Sequence, residues 1–319
     1  MQVAVLVYDG VFDSGLAAIL DVLDGANGMG AEITDPPAWN VATVGFRPQV
    51  RTGAGLVVTA ESIARVDTAD LLIVPALAER RPPALLDFVG GDESAQIREL
   101  ISGVCARGIP IASACTGTFL LAEAGVLDGH RATTSWWLAP IFRNRYPAVH
   151  VDQSRMVIAS GNVTTAGAAF GHVDLALSIV RNASPTLADL VTRYLVIDER
   201  PSQSAYTITS ALAQHDPKVA AFERWIREHI AAPISIPDAA RRVGVSERTL
   251  QRAVNNTLGT SPIRFVQNLR IEHASHLLRT TDQSLEAIAR KVGYEHPNTL
   301  RVLLRQRTGK TTAALRGTR

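Results

Sequence analysis

The stretch Ile236–Gly259, IPDAARRVGVSERTLQRAVNNTLG, decides how this chain is read. Ala239, Ala240 and Val243 form the apolar side of a short helix, Gly244 makes a turn, and Ser246 stands where an N-cap is wanted. Leu250, Ala253, Val254, Thr257 and Leu258 then keep the i, i+3, i+4, i+7, i+8 register of a helix packed on one side. Its other face carries Arg248, Gln251, Arg252, Asn255 and Asn256, side chains able to hydrogen-bond to bases or phosphates. The pattern returns in SLEAIARKVGYEHPNTLRVLLRQRTG, residues 284–309. There Leu285, Ile288, Ala289 and Val292 repeat the stripe and Gly293 repeats the turn. Leu300, Leu303 and Leu304 face inward, while Asn298, Arg301, Arg305 and Arg307 face out. Between the two, SPIRFVQNLRIEHASHLL predicts one long helix with Pro262 in its first turn. An ordinary helical bundle would account for one such pair. Two copies, each with its polar stripe on the second helix, point to tandem helix-turn-helix units.

Charge agrees with that division. The chain of 319 residues has a formal net charge of only +2. Residues 1–200 hold 14 Lys and Arg against 21 Asp and Glu, whereas residues 201–319 hold 18 against 9. A polyanion partner for the second part alone fits this asymmetry. An acidic protein partner would produce the same charge without explaining the repeat. With 46% apolar and 19% charged residues, the composition is that of a soluble globular protein of two domains. No apolar run approaches the roughly 20 residues of a membrane span. MQVAVLVYDG lacks a basic leader and reads as a first strand. The two cysteines, Cys105 and Cys115, suggest neither a disulfide framework nor, with the histidines, a metal site, and no cofactor is expected. A reducing cytoplasm is the expected compartment.

The first part alternates strand and helix. QVAVLVY reads as a strand, Asp13 to about Ala26 as a helix, WNVATVG as a second strand, and GLVVTA as an edge strand or hairpin arm. A brief helix near Ser62–Val66 leads to the β-run DLLIVPA, then SAQIRELISGVCARG gives a helix closed by Gly108. IPIASA is the next strand and CTGTFLLAEAG the helix after it; MVIAS and NVTTAG follow as strands and AAFGHVDLALSIVRNA as a closing helix. Apolar strands alternating with helices predict a parallel sheet covered on both faces, with its site at the carboxyl ends of the strands. SPTLADLVTRYL reads as a last helix, VIDERPSQSAYTITS as an interdomain linker or strap, and KVAAFERWIREHI as the start of the second domain. The expected division is residues 1–195, a linker over 196–216, and residues 217–319.

The sharpest local feature of the first part is a strand that feeds Cys115 directly into a helix. A helix N-terminus favours a thiolate, and strand–nucleophile–helix elbows present reactive groups. A buried cysteine is also commonly just a small core residue, so the elbow alone leaves both readings open.

Two resemblances sharpen the picture. Ser246, Leu250 and Arg252, then Gly259, Ser261 and Pro262, then Leu269-Arg270-Ile271-Glu272, Ala274 and Leu277-Leu278, stand in the order of the AraC/XylS-type DNA-binding domain. Ile288-Ala289, Val292-Gly293-Tyr294 and Gly309 continue it. Val302 stands where that family commonly has Arg, and Thr312 where it commonly has Pro. The first part resembles the DJ-1/PfpI branch of the class I glutamine amidotransferase-like superfamily. Ile111-Ala112-Ser113-Ala114-Cys115-Thr116-Gly117, Leu121-Ala122-Glu123-Ala124-Gly125, Ala132-Thr133-Thr134, Trp136, Thr165-Ala166-Gly167 and Asp174-Leu175-Ala176-Leu177 carry it. The whole chain resembles GlxA-type regulators, which join the two domains.

These resemblances imply a flavodoxin-like parallel sheet sandwiched by helices, followed by an all-α domain with two helix-turn-helix units. The function they imply is a DNA-binding transcription regulator, dimeric, sensing a small effector, with double-stranded DNA and RNA polymerase as partners. DNA contacts are expected from Ser246, Arg248, Thr249, Gln251, Arg252 and Asn255, and from His296, Asn298, Arg301 and Arg305. The effector is expected near Asp13, Ala76, Cys115, Thr116, Ser135 and Trp136. Two departures bear on chemistry. Ser135 stands where many relatives have the His that pairs with the elbow cysteine, and serine cannot take a thiol proton near neutral pH. Val74-Pro75-Ala76-Leu77 replaces a Gly-rich turn that can supply an oxyanion donor. His130, His150 and His172 do not occupy the matching position, and His172 is expected to be structural. The pocket is read as a sensor and not a catalyst. A cysteine hydrolase or amidotransferase, and a redox sensor acting through Cys115, are the alternatives.

Overall fold

A computed structural model describes residues 1–79, 81–198, 200, 202–203, 206, 212–214 and 216–317. Contacts divide the chain into two compact units, Met1–Gln203 and Ser204–Arg319.

The first unit is built on strands β1 (Gln2–Leu6), β2 (Asn40–Gly45), β5 (Glu61–Ser62), β6 (Leu71–Val74), β7 (Ile111–Ala114), β10 (Val157–Ser160) and β11 (Val163–Ala166), in the spatial order β10-β11-β7-β6-β1-β2-β5. The shorter strands β3 (Gln49–Arg51) and β4 (Val57–Thr59) form a hairpin, and β8 (Arg131–Ala132) pairs with β9 (His150–Val151). Taken in chain order, β1, β2, β6, β7 and β11 lie as 2-1-3-4-5, all parallel, the flavodoxin-like winding. The edge strand β10 runs antiparallel, unlike the rest of the expected parallel sheet. A two-residue turn, Gly161-Asn162, with Gly161 at φ +61°, joins it to β11, and so short a connection permits only a hairpin.

Alternate residues of each central strand enter different cores. Val3, Val5, Leu71 and Ile73 pack with α1 (Asp13–Met29), α6 (Gly171–Ala183) and α7 (Pro185–Tyr194). Ala4, Leu6, Leu72 and Val74 pack with α2 (Pro82–Gly90), α3 (Ala95–Ala106), α4 (Gly117–Glu123) and α5 (Ala139–Arg145). A sheet apolar on both faces needs such a cover on each. The brief helix expected near residues 62–66 is a 3₁₀ helix, Ile63–Thr68.

The second unit holds α8 (Pro217–Glu228), α9 (Ile236–Val243), α10 (Glu247–Leu258), α11 (Pro262–Thr280), α12 (Leu285–Lys291), α13 (Pro297–Thr308) and α14 (Thr312–Arg316). Side chains of Ser235, Ser246, Ser261, Ser284 and Thr311 cap the starts of α9, α10, α11, α12 and α14. Gly244, Gly259 and Gly309 end α9, α10 and α13 in the left-handed conformation. Gly293, at φ +81°, turns between α12 and α13, and a Cβ there would lie 2.6 Å from both Arg270 Nη2 and the Ile230 carbonyl. Arg270 explains that crowding: it donates to the carbonyls of Gly293 (3.0 Å) and Ala232 (2.7 Å), and its guanidinium lies over the Tyr294 ring.

The segment expected to link the units starts within the first of them. Ser202 Oγ and Gln203 N–H both donate to the Ser154 carbonyl, at 2.6 and 3.0 Å. Of the rest of that segment, residues 199, 201, 204–205, 207–211 and 215 lie outside those described.

Candidate effector pocket and nucleic-acid interface

At the end of β7 the chain must reverse at once to start α4, and this forces Cys115 to φ +57°. For a residue with a side chain such a conformation costs about 1–3 kcal/mol and persists only when its surroundings enforce it. Here they do. Cys115 N–H donates to the Ala166 carbonyl at 2.9 Å, and Thr134 Oγ1 donates to the Cys115 carbonyl at 2.8 Å. Gly117 lets α4 begin against β6: a Cβ there would stand 2.6 Å from both the Pro75 carbonyl and Ser113 Oγ. Ser135, itself fully buried, places its hydroxyl 2.9 Å from Cys115 Sγ as a donor.

Cys115 is 5% exposed, and it lines a pocket of about 540 Å³ together with Phe12, Asp13, Ala76, Glu79, Thr116 and Trp137. Of the residues expected at the effector site, Asp13, Ala76, Cys115 and Thr116 are therefore brought together. Ser135 lies behind the thiol. Trp136 does not line the pocket; its backbone N–H donates to Gln203 Oε1 at 3.1 Å, and the next residue, Trp137, supplies the ring.

Asp13 opens α1 and is tied to the loop opposite: the Thr52 hydroxyl donates to one carboxylate oxygen and Ala54 N–H to the other at 2.9 Å. Burial works to raise its pKa, but these hydrogen bonds outweigh it and hold the carboxyl below the usual range. Glu79, also on the pocket wall, pairs with Arg81 at 3.0 Å. Tyr8, fully enclosed beneath the site, donates to the Pro75 carbonyl at 2.7 Å; burial first, and the Cys115 charge second, push its phenol upward.

Among the described residues, no histidine lines this pocket. His172 is buried behind it, where Nε2 accepts from Ala76 N–H at 3.1 Å and Nδ1 lies 2.7 Å from the Ala169 carbonyl. The neutral ring with its proton on Nδ1 satisfies both contacts, and burial pushes the pKa down to about 4 against the opposing hydrogen bond to Ala169. His172 is thus a structural clamp on the Ala76 loop. His130 sits elsewhere, 3.2 Å from Ser160 Oγ. Among the described residues no group of His, Cys, Asp or Glu is arranged to hold a metal.

Sequence reasoning missed Gln203. Its side chain is wholly buried, donates to the Thr134 carbonyl (2.9 Å), Thr133 Oγ1 (3.1 Å) and the Arg155 carbonyl (3.2 Å), and presses on Gly167. Thr134 and its neighbour Ser135 also hold Cys115, so this strap is bonded to the wall of the site. Its partners lie up to 70 residues away in sequence, beyond the reach of any local pattern.

In the second unit the inward residues are fixed as expected: Leu250, Val254, Leu300 and Leu304 are fully buried. Arg248, Gln251, Arg252 and Asn255 form one exposed stripe on α10, and Asn298, Arg301 and Arg305 are exposed on α13. Ser246 and Thr249 are occupied in capping, with their hydroxyls 2.8 Å apart and Thr249 N–H donating to Ser246 Oγ at 3.1 Å. Gln251 Nε2 donates to Glu247 at 3.1 Å, and Arg301 donates to Asn298 at 2.7 Å. His296 is exposed at the N-cap of α13, where its side chain makes no capping bond. An open groove of about 620 Å³ runs along α10 between its polar face and Ser261, Pro262 and Ile263. The arrangement offers donors and acceptors on helices narrow enough to enter a major groove.

An α/β unit with an elbow cysteine, followed by a tandem helix-turn-helix unit, defines the class. Residues 1–182 match the DJ-1/PfpI family and residues 239–318 match a helix-turn-helix domain. The chain belongs to the DJ-1/PfpI family and joins that domain to an AraC-type helix-turn-helix domain. It is 31% identical over 196 residues to the HTH-type transcriptional regulator CdhR of Pseudomonas aeruginosa, covering 60% of this chain and 58% of that protein. It is 26% identical over 195 residues to the HTH-type transcriptional regulator GlxA of Rhizobium meliloti, covering 60% of each. The matched stretch thus spans about three-fifths of the length of these relatives. Among solved structures, a THiJ/PfpI family protein from Pseudomonas syringae is similar with a TM-score of 0.52 and 21% identity, covering 71% of this chain and 86% of that one; it bears on the fold alone.

Proposed function

We propose that this protein is a sequence-specific DNA-binding transcription regulator whose first domain senses a small effector without turning it over. The observation that carries the reading is the pair of helices α10 and α13, each pinned by buried apolar residues and each presenting an exposed polar stripe. Entering successive major-groove segments about one turn (~10 bp) apart, they would read bases with Gln251 for adenine and with Arg248, Arg252, Arg301 and Arg305 for guanine or phosphate. Ser246, Thr249, Asn255, His296 and Asn298 complete the proposed surface. Residues 1–195 act as the sensing and dimerising domain, 196–216 as the link, and 217–319 as the reader. The protein works as a homodimer in the cytoplasm, with RNA polymerase as a further partner. No helix among the described residues is long and apolar enough to cross a membrane.

The effector occupies the pocket over Asp13, Ala76, Cys115 and Thr116, with Ser135 and Trp136 supporting its wall. Two features favour binding over catalysis there. The Ser135 hydroxyl donates to the thiol, and the Ala76 amide is held by His172. The strained elbow keeps a residual chemical reading open to test: incubation with an electrophilic ester would give an adduct absent from Cys115→Ser.

The main experiment selects DNA sites from a random pool with the full chain and measures affinity against random DNA over a salt series. We expect specific binding at least about a thousandfold tighter than random, with a steep salt slope. Arg252→Ala should cost about 1–3 kcal/mol on the selected site and relax one base position. An equal loss on both DNAs would remove Arg252 from base reading, and failure to enrich any site would remove the regulator reading itself.

A further inference from the structure

The two recognition helices can be laid over one another from their ends. Each is 12 residues long and stops at a left-handed glycine, Gly259 or Gly309. Counting back from these glycines, Leu250 falls on Leu300 and Val254 on Leu304, and all four are fully buried. The same count places the exposed stripe Arg248, Gln251, Arg252, Asn255 on Asn298, Arg301, Val302, Arg305. Val302 therefore holds the place of Arg252. It is 54% exposed and stands apart from the apolar cluster that Leu300, Leu304 and Leu315 build.

A single exposed valine on a protein surface needs no explanation. This one lies in the middle of a stripe of hydrogen-bonding side chains, one helical turn from Asn298 and flanked by Arg301 and Arg305. Arg301 is already held toward Asn298. An apolar branched tip so placed meets one feature of the major groove that is itself apolar, the C5-methyl of thymine.

We propose that Val302 is a specificity-determining residue that reads a thymine methyl in the second half of the binding site. The inference rests on the proposed DNA-binding function and adds a chemistry to it. The first unit reads by hydrogen bonds from Arg248, Gln251, Arg252 and Asn255. The second reads one position by excluding water between valine and a methyl group. Burying a group of that size corresponds to about a fourfold change in affinity.

The test uses the full chain on the selected DNA site, with each thymidine replaced in turn by deoxyuridine, which removes the methyl and keeps the base pair. Wild type should bind about fourfold more weakly at one position within the part covered by α13. In Val302→Ala, a substitution on an exposed helix position that favours helix, that penalty should vanish. Val302→Ile, which keeps a branched apolar tip, should retain it. Methyl penalties identical in wild type and Val302→Ala at every position would overturn the inference while leaving specific binding intact. A pool that yields no enriched site would overturn the regulator reading and this inference together.

Discussion

His172 ties the pocket to pH in a way whose size follows from its surroundings. The ring must be neutral, because Nε2 accepts from Ala76 N–H while Nδ1 faces the Ala169 carbonyl. A second proton would set a donor against the Ala76 donor. In the unfolded chain the imidazole titrates at its ordinary value of about 6.5. In the fold, burial pushes that value down to about 4. Between those values the unfolded chain binds a proton that the folded one refuses, so stability is complete above the unfolded value and declines as pH falls toward the folded one. The gap corresponds to about 3 kcal/mol of unfolding free energy. Urea unfolding of the full chain at several pH values between 7 and 4 would measure it. A Trp225→Phe background leaves Trp39, Trp136 and Trp137, all in the first unit, as reporters. His172→Gln, which cannot titrate, should start lower at pH 7 by about 1–3 kcal/mol and then lose less as the pH falls. Asp13 and Glu123, held below the usual carboxylate range, contribute equally to both proteins and cancel in the difference. Parallel stability curves for wild type and His172→Gln would refute the argument.

Two other changes probe the walls of the same site. Gln203→Ala strips partners from the Trp136 amide and from the Thr134 and Arg155 carbonyls, so the first unit should lose about 2–4 kcal/mol in the same urea assay. Gly117→Ala drives a methyl into the Pro75 carbonyl and Ser113 Oγ and should destabilise by about 1–3 kcal/mol or more, read as a lowered Tm by calorimetry.

What could be read from the sequence was whatever is written locally. The second unit announces itself because apolar period, the Ser246 cap and the turn glycines Gly244 and Gly293 all fall within a few residues of one another, and each is found in its expected place. The strands β1, β2, β6 and β7 of the first unit are legible as apolar runs; the two-residue β5, β8 and β9 are not. Helix α2 was not, because Arg81-Pro82-Pro83 looks like a loop; both prolines sit in the first turn, where no intrahelical N–H is needed. Helix α5 hides behind Pro140 for the same reason. The choice of Trp137 over Trp136 as the pocket ring depends on which way adjacent side chains leave the backbone, and neighbouring letters do not record it. The contact between Ala76 and His172 spans 96 residues, and that of Gln203 with Thr133 spans 70.

That long-range contact changes how the two departures of the first domain are weighed. In the sequence, Ser135 in place of a base and Ala76 in place of a glycine are separate oddities. In the fold both bear on one thiol. Ser135 gives Cys115 a hydroxyl donor where proton removal would need an acceptor near neutral pH. Ala76 directs its amide toward His172, and an incoming oxygen would have to break that bond before it could use the same donor. The elbow at φ +57° survives all the same, held by Ala166 and Thr134, and with it a buried sulfur facing a pocket whose far wall carries Asp13. On the proposed reading, the strained elbow serves to hold that wall in a single shape, which is what selective binding of one small molecule requires.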